Sequence, residues 1–345
     1  MVAGDSYYVP AYFEVSDVMK KIFCIGETLI DFIPVQKNKS LKEVTGFERV
    51  AGGAPMNVAI AVAKYGGHSV MLTKMANDHF GDFLLDVIEE NGVDSSYIIR
   101  SEEGETGLAF VSVDEHGERS FNFYRKNAAD LMLTPQEVKS EWFKAGDFLH
   151  YCSVDLIESP MKQTHKKVIE DFRQIGGIIS FDPNVRLPLW PDPESCRETI
   201  LQFLPLADLV KVSDEELTFI TGIEEEKAAI SSLFVGSVKA VVYTKGSEGA
   251  SIFLKNGEEY EGKGFKVTVA DTTGAGDAFI GGFLSELLLL GVSAENLSEK
   301  IQEHHRQILT FANASGALTA SVKGAIQAAP SRGHVLNFIE TKVID

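Results

Sequence analysis

Short apolar runs alternate with helical stretches along most of this chain, and that alternation leaves few folds open. Ile22 to Ile25 reads as a buried strand ending at Gly26. Asn57 to Tyr65 carries apolar residues at helical spacing and ends at the C-cap signal Gly66-Gly67. Val70 to Lys74 is the next strand, and Phe80 to Glu90 a helix closed by Asn91-Gly92. The pattern resumes with strand Phe148 to Tyr151, helix Met161 to Ile175, strand Ile178 to Phe181 and a helix near Glu194 to Phe203. Strands Leu209 to Val212 and Ala240 to Tyr243 follow. Such alternation predicts a mostly parallel, doubly wound sheet with helices on both faces. At 345 residues with 44% hydrophobic content, the chain can bury the core such a sheet needs.

Two stretches break the alternation. Leu29 to Val50 has no helical period. Thr106 to Arg125 alternates, with Ala109, Val111 and Val113 before the turn Asp114-Glu115-His116-Gly117 and Phe121, Phe123 and Arg125 after it. That is a β-hairpin. Together the pieces, at about 29–50 and 106–125, predict a small inserted β-sheet. Its apolar face must be covered, which implies a lid, a dimer contact, or both.

The chemistry concentrates in Asp271-Thr272-Thr273-Gly274-Ala275-Gly276-Asp277-Ala278-Phe279. Gly274, Ala275 and Gly276 let the backbone approach a ligand closely. They precede an apolar helix expected from Ala278 to about Leu290. Backbone amides at a helix start carry partial positive charge and bind phosphate or a developing oxyanion. Asp277 beside them accepts a proton from a hydroxyl, although an Asp there also serves as a plain helix cap. An anion hole beside a base suits phosphoryl transfer to an alcohol.

The formal net charge of −18 argues against nucleic acid or an anionic membrane as partner. Cys24, Cys152 and Cys196 are far apart and odd in number, which suits a reducing, cytoplasmic compartment. No apolar stretch is long enough to span a bilayer; the best, Ala278 to Val292, contains Glu286. Met1 to Val18 lacks the basic and apolar regions of a secretory signal. Residues 1–20 are expected to be an N-terminal extension outside a domain at 21–340, with trimming of 1–18 leaving activity intact.

The nine-residue segment closely resembles the C-terminal signature of the PfkB, or ribokinase-like, family of sugar kinases, and further stretches resemble family motifs in the same order. Gly52-Gly53-Ala54-Pro55-Met56-Asn57-Val58-Ala59 is similar to the N-terminal signature in its fructokinase form. Gly26-Glu27-Thr28-Leu29-Ile30-Asp31 places Asp31 just past the first strand, at the sheet edge where ligands of open α/β folds bind. Phe181-Asp182-Pro183-Asn184-Val185-Arg186 resembles the segment of fructokinases and 2-keto-3-deoxygluconate kinases. In Lys211-Val212-Ser213-Asp214-Glu215-Glu216, Ser213 stands where the family pattern has Asn, and Glu216 is retained. Thr244-Lys245-Gly246-Ser247-Glu248-Gly249 resembles the loop beside the nucleotide. Resemblance covers roughly residues 20–335.

That resemblance implies a ribokinase-like three-layer α/β/α fold with a β lid, and an ATP-dependent kinase acting on a small sugar. Asp277 would be the base, with Gly274, Ala275 and Gly276 as anion hole and Arg186 supporting the phosphate. Asp31, Gly52, Gly53, Asn57, Arg125, Asp182 and Asn184 would contact the sugar. Asn57 also fits a simple cap, and Arg125 a solvated edge strand. Ser213, Glu216, Thr244, Gly246, Gly249 and Asn313 would lie at the nucleotide, together with Gly274 and Gly276. Small residues around Asn313 equally suit helix packing. Glu216 would meet Mg²⁺ through water. Asp271 and Thr273 match positions that bind a monovalent cation such as K⁺ in many relatives. A homodimer through the lid sheets is expected. D-fructose is the first-choice substrate; 2-keto-3-deoxygluconate and aminoimidazole riboside are the rivals, and a non-catalytic sugar sensor is the alternative of another class. Neither a GxxxxGK[ST] loop nor the protein-kinase elements occur in the chain.

Overall fold

The computed structural model describes residues 20–36, 38–113 and 119–343, without the side chains of 113, 119–121 and 343. The expected extension before residue 20 and the hairpin tip lie outside the described residues. The chain runs β1 (Ile22–Ile25), β2 (Leu29–Pro34), β3 (Phe47–Gly52), α1 (Ala54–Lys64), β4 (Ser69–Ala76), α2 (His79–Glu90), β5 (Ile98–Ser101), β6 (Gly107–Val113) and β7 (Arg119–Tyr124). Next come β8 (Phe148–Cys152), α3 (Pro160–Gln174), β9 (Ile178–Asp182), α4 (Pro193–Phe203), β10 (Leu209–Ser213), α5 (Asp214–Thr221) and α6 (Glu226–Ser232). The last third holds β11 (Ala240–Thr244), β12 (Gly249–Leu254), β13 (Glu259–Lys263), α7 (Ala275–Leu289), α8 (Leu297–Ala320) and α9 (Arg332–Val343).

Nine strands form the main sheet in the order β13-β12-β11-β10-β9-β8-β1-β4-β5. Pairing is parallel from β5 through to β11, and β12 and β13 are antiparallel at the edge. The chain winds outward from β1 to β4 and β5, then returns to β8 on the other side. The reversal between β1 and β8 opens a crevice at the carboxyl ends of the strands, the usual place for a ligand. Strand alternation divides the core. Leu209 and Ile178 face the cluster built with α1, α7 and α8, while Val210, Val212 and Phe181 face the cluster built with α3 and α4. Among the described residues, no helix is long and apolar enough to cross a membrane.

The second sheet has the order β3-β2-β6-β7, with β2 and β6 parallel and both outer pairs antiparallel. One face carries an aromatic cluster. Phe32 stacks on Phe110 at 4.7 Å between ring centroids, and Phe47, Phe80 and Tyr124 meet this pair edge-on. The expected lid strands therefore exist with little change in their bounds.

One boundary needs correction. The helix expected from Ala278 begins at Ala275, with Gly274 as its cap. Gly274 has φ +74°, and a Cβ there would lie 2.5 Å from the Ala325 Cβ. The left-handed glycine lets the helix start three residues early, so Asp277 belongs to its first turn. The edge strands β12 and β13 and the short helices α5 and α6 went unread, because Gly and charged residues interrupt their apolar pattern.

Candidate active site

The carboxyl ends of β9 and β10 and the N-termini of α1 and α7 converge on Asp277, which is 8% exposed. Asn57, in the first turn of α1, donates Nδ2 to Asp277 Oδ2 at 2.8 Å. Asn184, two residues past β9, donates Nδ2 to Asp277 Oδ1 at 3.4 Å. Asn184 adopts φ +44°, a left-handed conformation uncommon for a side-chain-bearing residue and tolerated best by Asn and Asp. Burial raises the pKa of Asp277 above the ordinary Asp value. The Asn57 hydrogen bond and the charges of Arg186 and Lys211 oppose that rise, and Glu216 adds to it. The result is a desolvated carboxylate with increased proton affinity, aimed by two amides.

Next to it is the turn. Ala278 N donates to the Gly274 carbonyl at 2.8 Å as the first bond of the helical ladder, and Ala275 N closes back on the Thr272 carbonyl at 3.2 Å. The amides of Gly276 and Asp277 fall in the unladdered first turn, where donors point outward. Asp271 Oδ1 accepts from both the amide (2.9 Å) and hydroxyl (2.7 Å) of Thr273, and Oδ2 accepts from Gly324 N at 3.0 Å. Asp271 thus fastens the loop after α8 to the turn.

The alternation along β9 and β10 brings Asp182 and Lys211 to the α7 side. Lys211 Nζ lies 3.0 Å from Asp182 Oδ2 and 3.2 Å from Oδ1, with both residues buried. Burial pushes Asp182 up to about 6, against the pull of Lys211. Glu216 accepts from Val185 N (2.8 Å) and Ser213 N (3.0 Å), which clamps the exit of β9 to the start of α5. These bonds and Lys211 hold its pKa below the ordinary Glu value despite burial. Both Glu216 oxygens are engaged, and no group of three or more His, Cys, Asp or Glu among the described residues could hold a metal ion.

The sugar end is built on glycine. Gly53 caps α1 at φ +116°, where a Cβ would strike the Glu27 carbonyl, and a Cβ on Gly52 would collide with the Asp31 carboxylate. Glu27 Oε1 accepts from Ala54 N at 2.7 Å, setting the entry of α1. A model of the pfkB family of carbohydrate kinases matches residues 19–332. The chain belongs to this family. Fructokinase-2 of Solanum lycopersicum is 39% identical over 322 residues, 92% of this chain and 96% of the relative. A fructokinase structure from Xylella fastidiosa with bound ATP superposes with TM-score 0.86 at 34% identity, over 94% of this chain and all of that one. A Vibrio cholerae O395 fructokinase, described with fructose, ADP and calcium ion bound, gives 0.81 at 34% with the same coverage.

Within this family member, most expected site residues gather around the crevice, and three have particular placements. Arg125 is 5% exposed and donates Nη2 to Asp155 Oδ1 at 2.6 Å and to Asp130. It clasps the end of the lid hairpin to the loop after β8, so the solvated-edge alternative is corrected. Asn313 donates to the carbonyls of Gly262 (3.1 Å) and Lys263 (3.4 Å), tying α8 to β13. Arg186 is exposed, with Nη1 on the Val185 carbonyl at 3.0 Å. Gly246 and Gly249 flank the tight turn between β11 and β12, at φ +49° and +110°, and Thr244 closes β11 before it. Ser213 caps α5 together with Glu216. Two features escaped sequence reasoning. One is Lys211. The other is the buried cluster of Arg125, Asp130, Asp155 and Glu27. A lysine inside an otherwise apolar strand was the available signal for the first; the second joins residues too distant in sequence to suggest one another.

Proposed function

We propose that this kinase is an ATP-dependent fructokinase that converts D-fructose to fructose 6-phosphate. The single observation that carries the reading is Asp277: a buried carboxylate with raised proton affinity, held by two asparagine amides in the first turn of a glycine-capped helix. Asp277 takes the proton of the sugar hydroxyl. The amides of Gly276 and Asp277 meet charge building on the phosphoryl group, and such electrostatic stabilisation commonly does most to speed a transfer of this kind. Arg186 approaches from the solvent side. Asp31, Gly52, Gly53, Asn57, Asp182 and Asn184 orient the sugar, and Arg125 acts through its clasp.

Magnesium enters as part of the substrate, carried by the nucleotide phosphates, and Glu216 would reach it only through water. Thr244, Gly246, Gly249, Ser213 and Asn313 surround the nucleotide. A monovalent cation at Asp271 and Thr273 belongs to the same proposal. So do a homodimer through the aromatic face of the lid and a cytoplasmic location, which three buried free thiols suit. ADP release with magnesium-ATP tests the reading, using fructose, ribose, 2-keto-3-deoxygluconate, aminoimidazole riboside and adenosine, with and without potassium. Fructose should be strongly preferred. Preference for another acceptor would overturn the sugar assignment, and no turnover on any would overturn the kinase reading.

A further inference from the structure

Lys211 opens one of the motifs read from the sequence but has no role there, yet its ammonium reaches the glycine turn. A Cβ built on Gly276 would lie 3.4 Å from Lys211 Nζ. The side chain therefore runs from the middle of β10 toward the turn on which a phosphoryl group would rest. Lys211 is 7% exposed. Around it stand Asp182, Glu216 and Asp277, three carboxylates against one ammonium. The Arg186 guanidinium is exposed and folded back on the neighbouring carbonyl. Without a cation in this place, an incoming phosphoryl group would meet uncompensated negative charge in a desolvated site.

A structural ion pair explains this poorly. Burying a lysine and an aspartate is costly, and such pairs are often no better for stability than apolar residues of similar volume. An ammonium held in place before reaction is what charge stabilisation in a transition state requires.

We propose that Lys211 is a catalytic residue whose ammonium contacts the transferring phosphoryl group at the Gly274–Asp277 turn. Asp182 is its tether, holding Nζ with two oxygens at 3.0 and 3.2 Å. When the phosphoryl group arrives, the ammonium exchanges one of those contacts for a phosphoryl oxygen. Asp277 takes the hydroxyl proton, and the sugar oxygen bonds to the γ-phosphorus. The bond from phosphorus to its bridging oxygen breaks, and the electron pair leaves with ADP. Lys211 stays protonated throughout. Burial works against its charge, but Asp182, Glu216 and Asp277 outweigh that and raise its pKa.

The assignment rests on the kinase reading, so the wild type is assayed beside the variants. In Lys211→Met, kcat should fall about 10²–10³-fold, the range for loss of one transition-state contact. The KM for the sugar should change by less than about threefold. The acid limb of kcat/KM should move to higher pH, because Asp277 loses a cation that lowers its pKa. A purely structural lysine predicts something else: adding Asp182→Asn would remove the stranded carboxylate and bring the double variant up to the rate of Asp182→Asn alone. The double variant Lys211→Met/Asp182→Asn also guards against misfolding from an unpaired buried charge. If it remains far slower than Asp182→Asn alone, the assignment stands. If it returns to the Asp182→Asn rate, or if the acid limb of Lys211→Met does not move, the assignment fails while the kinase reading survives. A wild type that phosphorylates none of the five acceptors overturns both.

Discussion

Gly274→Ala should damage stability and rate together, by amounts that follow from the turn. A side-chain-bearing residue at φ +74° costs about 1–2 kcal/mol relative to glycine. The new methyl group would also lie 2.5 Å from the Ala325 Cβ and 2.9 Å from its Cα. Carbon atoms pack at about 3.5–4.0 Å, so turn and loop must part by roughly 1 Å. The conformational cost alone should lower Tm by about 1–3 °C for a chain of 345 residues. Misplacing a catalytic group by about 1 Å can cost 10²-fold in rate. Differential scanning fluorimetry and coupled ADP release measure the two effects. Gly276→Ala is the comparison, since Gly276 has ordinary helical backbone and its Cβ would meet only the Lys211 ammonium, at 3.4 Å. It should keep its Tm and lose kcat. A Gly274→Ala protein with wild-type Tm and kcat would refute the reasoning that this turn is a closely fitted anion hole.

Two further predictions concern charge. The base must be ionised to act, and burial raises the Asp277 pKa, so kcat/KM should fall on acidification with a midpoint above the ordinary Asp value; a profile flat down to about pH 4 would contradict this. Arg125→Met strands Asp130 and Asp155 without their cation, although burial already pushes Asp130 up to about 6 in its presence. Breaking such a buried pair should cost about 3–5 kcal/mol in a urea titration, and Asp130→Asn in the same chain should recover part of it.

The parallel sheet, the lid strands and the location of the site were legible in the sequence, because apolar periodicity and glycine-rich turns are local signals. Asp277, Asn57 and Asn184 were identified singly; that both amides converge on one carboxylate was not. That convergence depends on α1 and α7 packing side by side with their N-termini at the same crevice. Glu216 was read as an acidic residue near phosphate, and its two oxygens turn out to brace backbone amides. Arg125, expected either at the sugar or as a solvated edge-strand arginine, is buried against Asp130 and Asp155, which a loop with no periodic pattern brings to it. The start of α7 was misread because glycine lowers helix propensity, while here the left-handed Gly274 begins the helix.

The central claim is that Asp277 deprotonates fructose for attack on ATP. Phosphorus NMR of fructose with magnesium-ATP, comparing wild type and Asp277→Asn, tests it most directly. The wild type should accumulate fructose 6-phosphate and ADP in equal amounts. The folded variant, which keeps an acceptor for the Asn57 amide, should form the same product about 10²–10⁴ times more slowly. A wild type that leaves fructose unphosphorylated, or a variant that matches its rate, would contradict that claim.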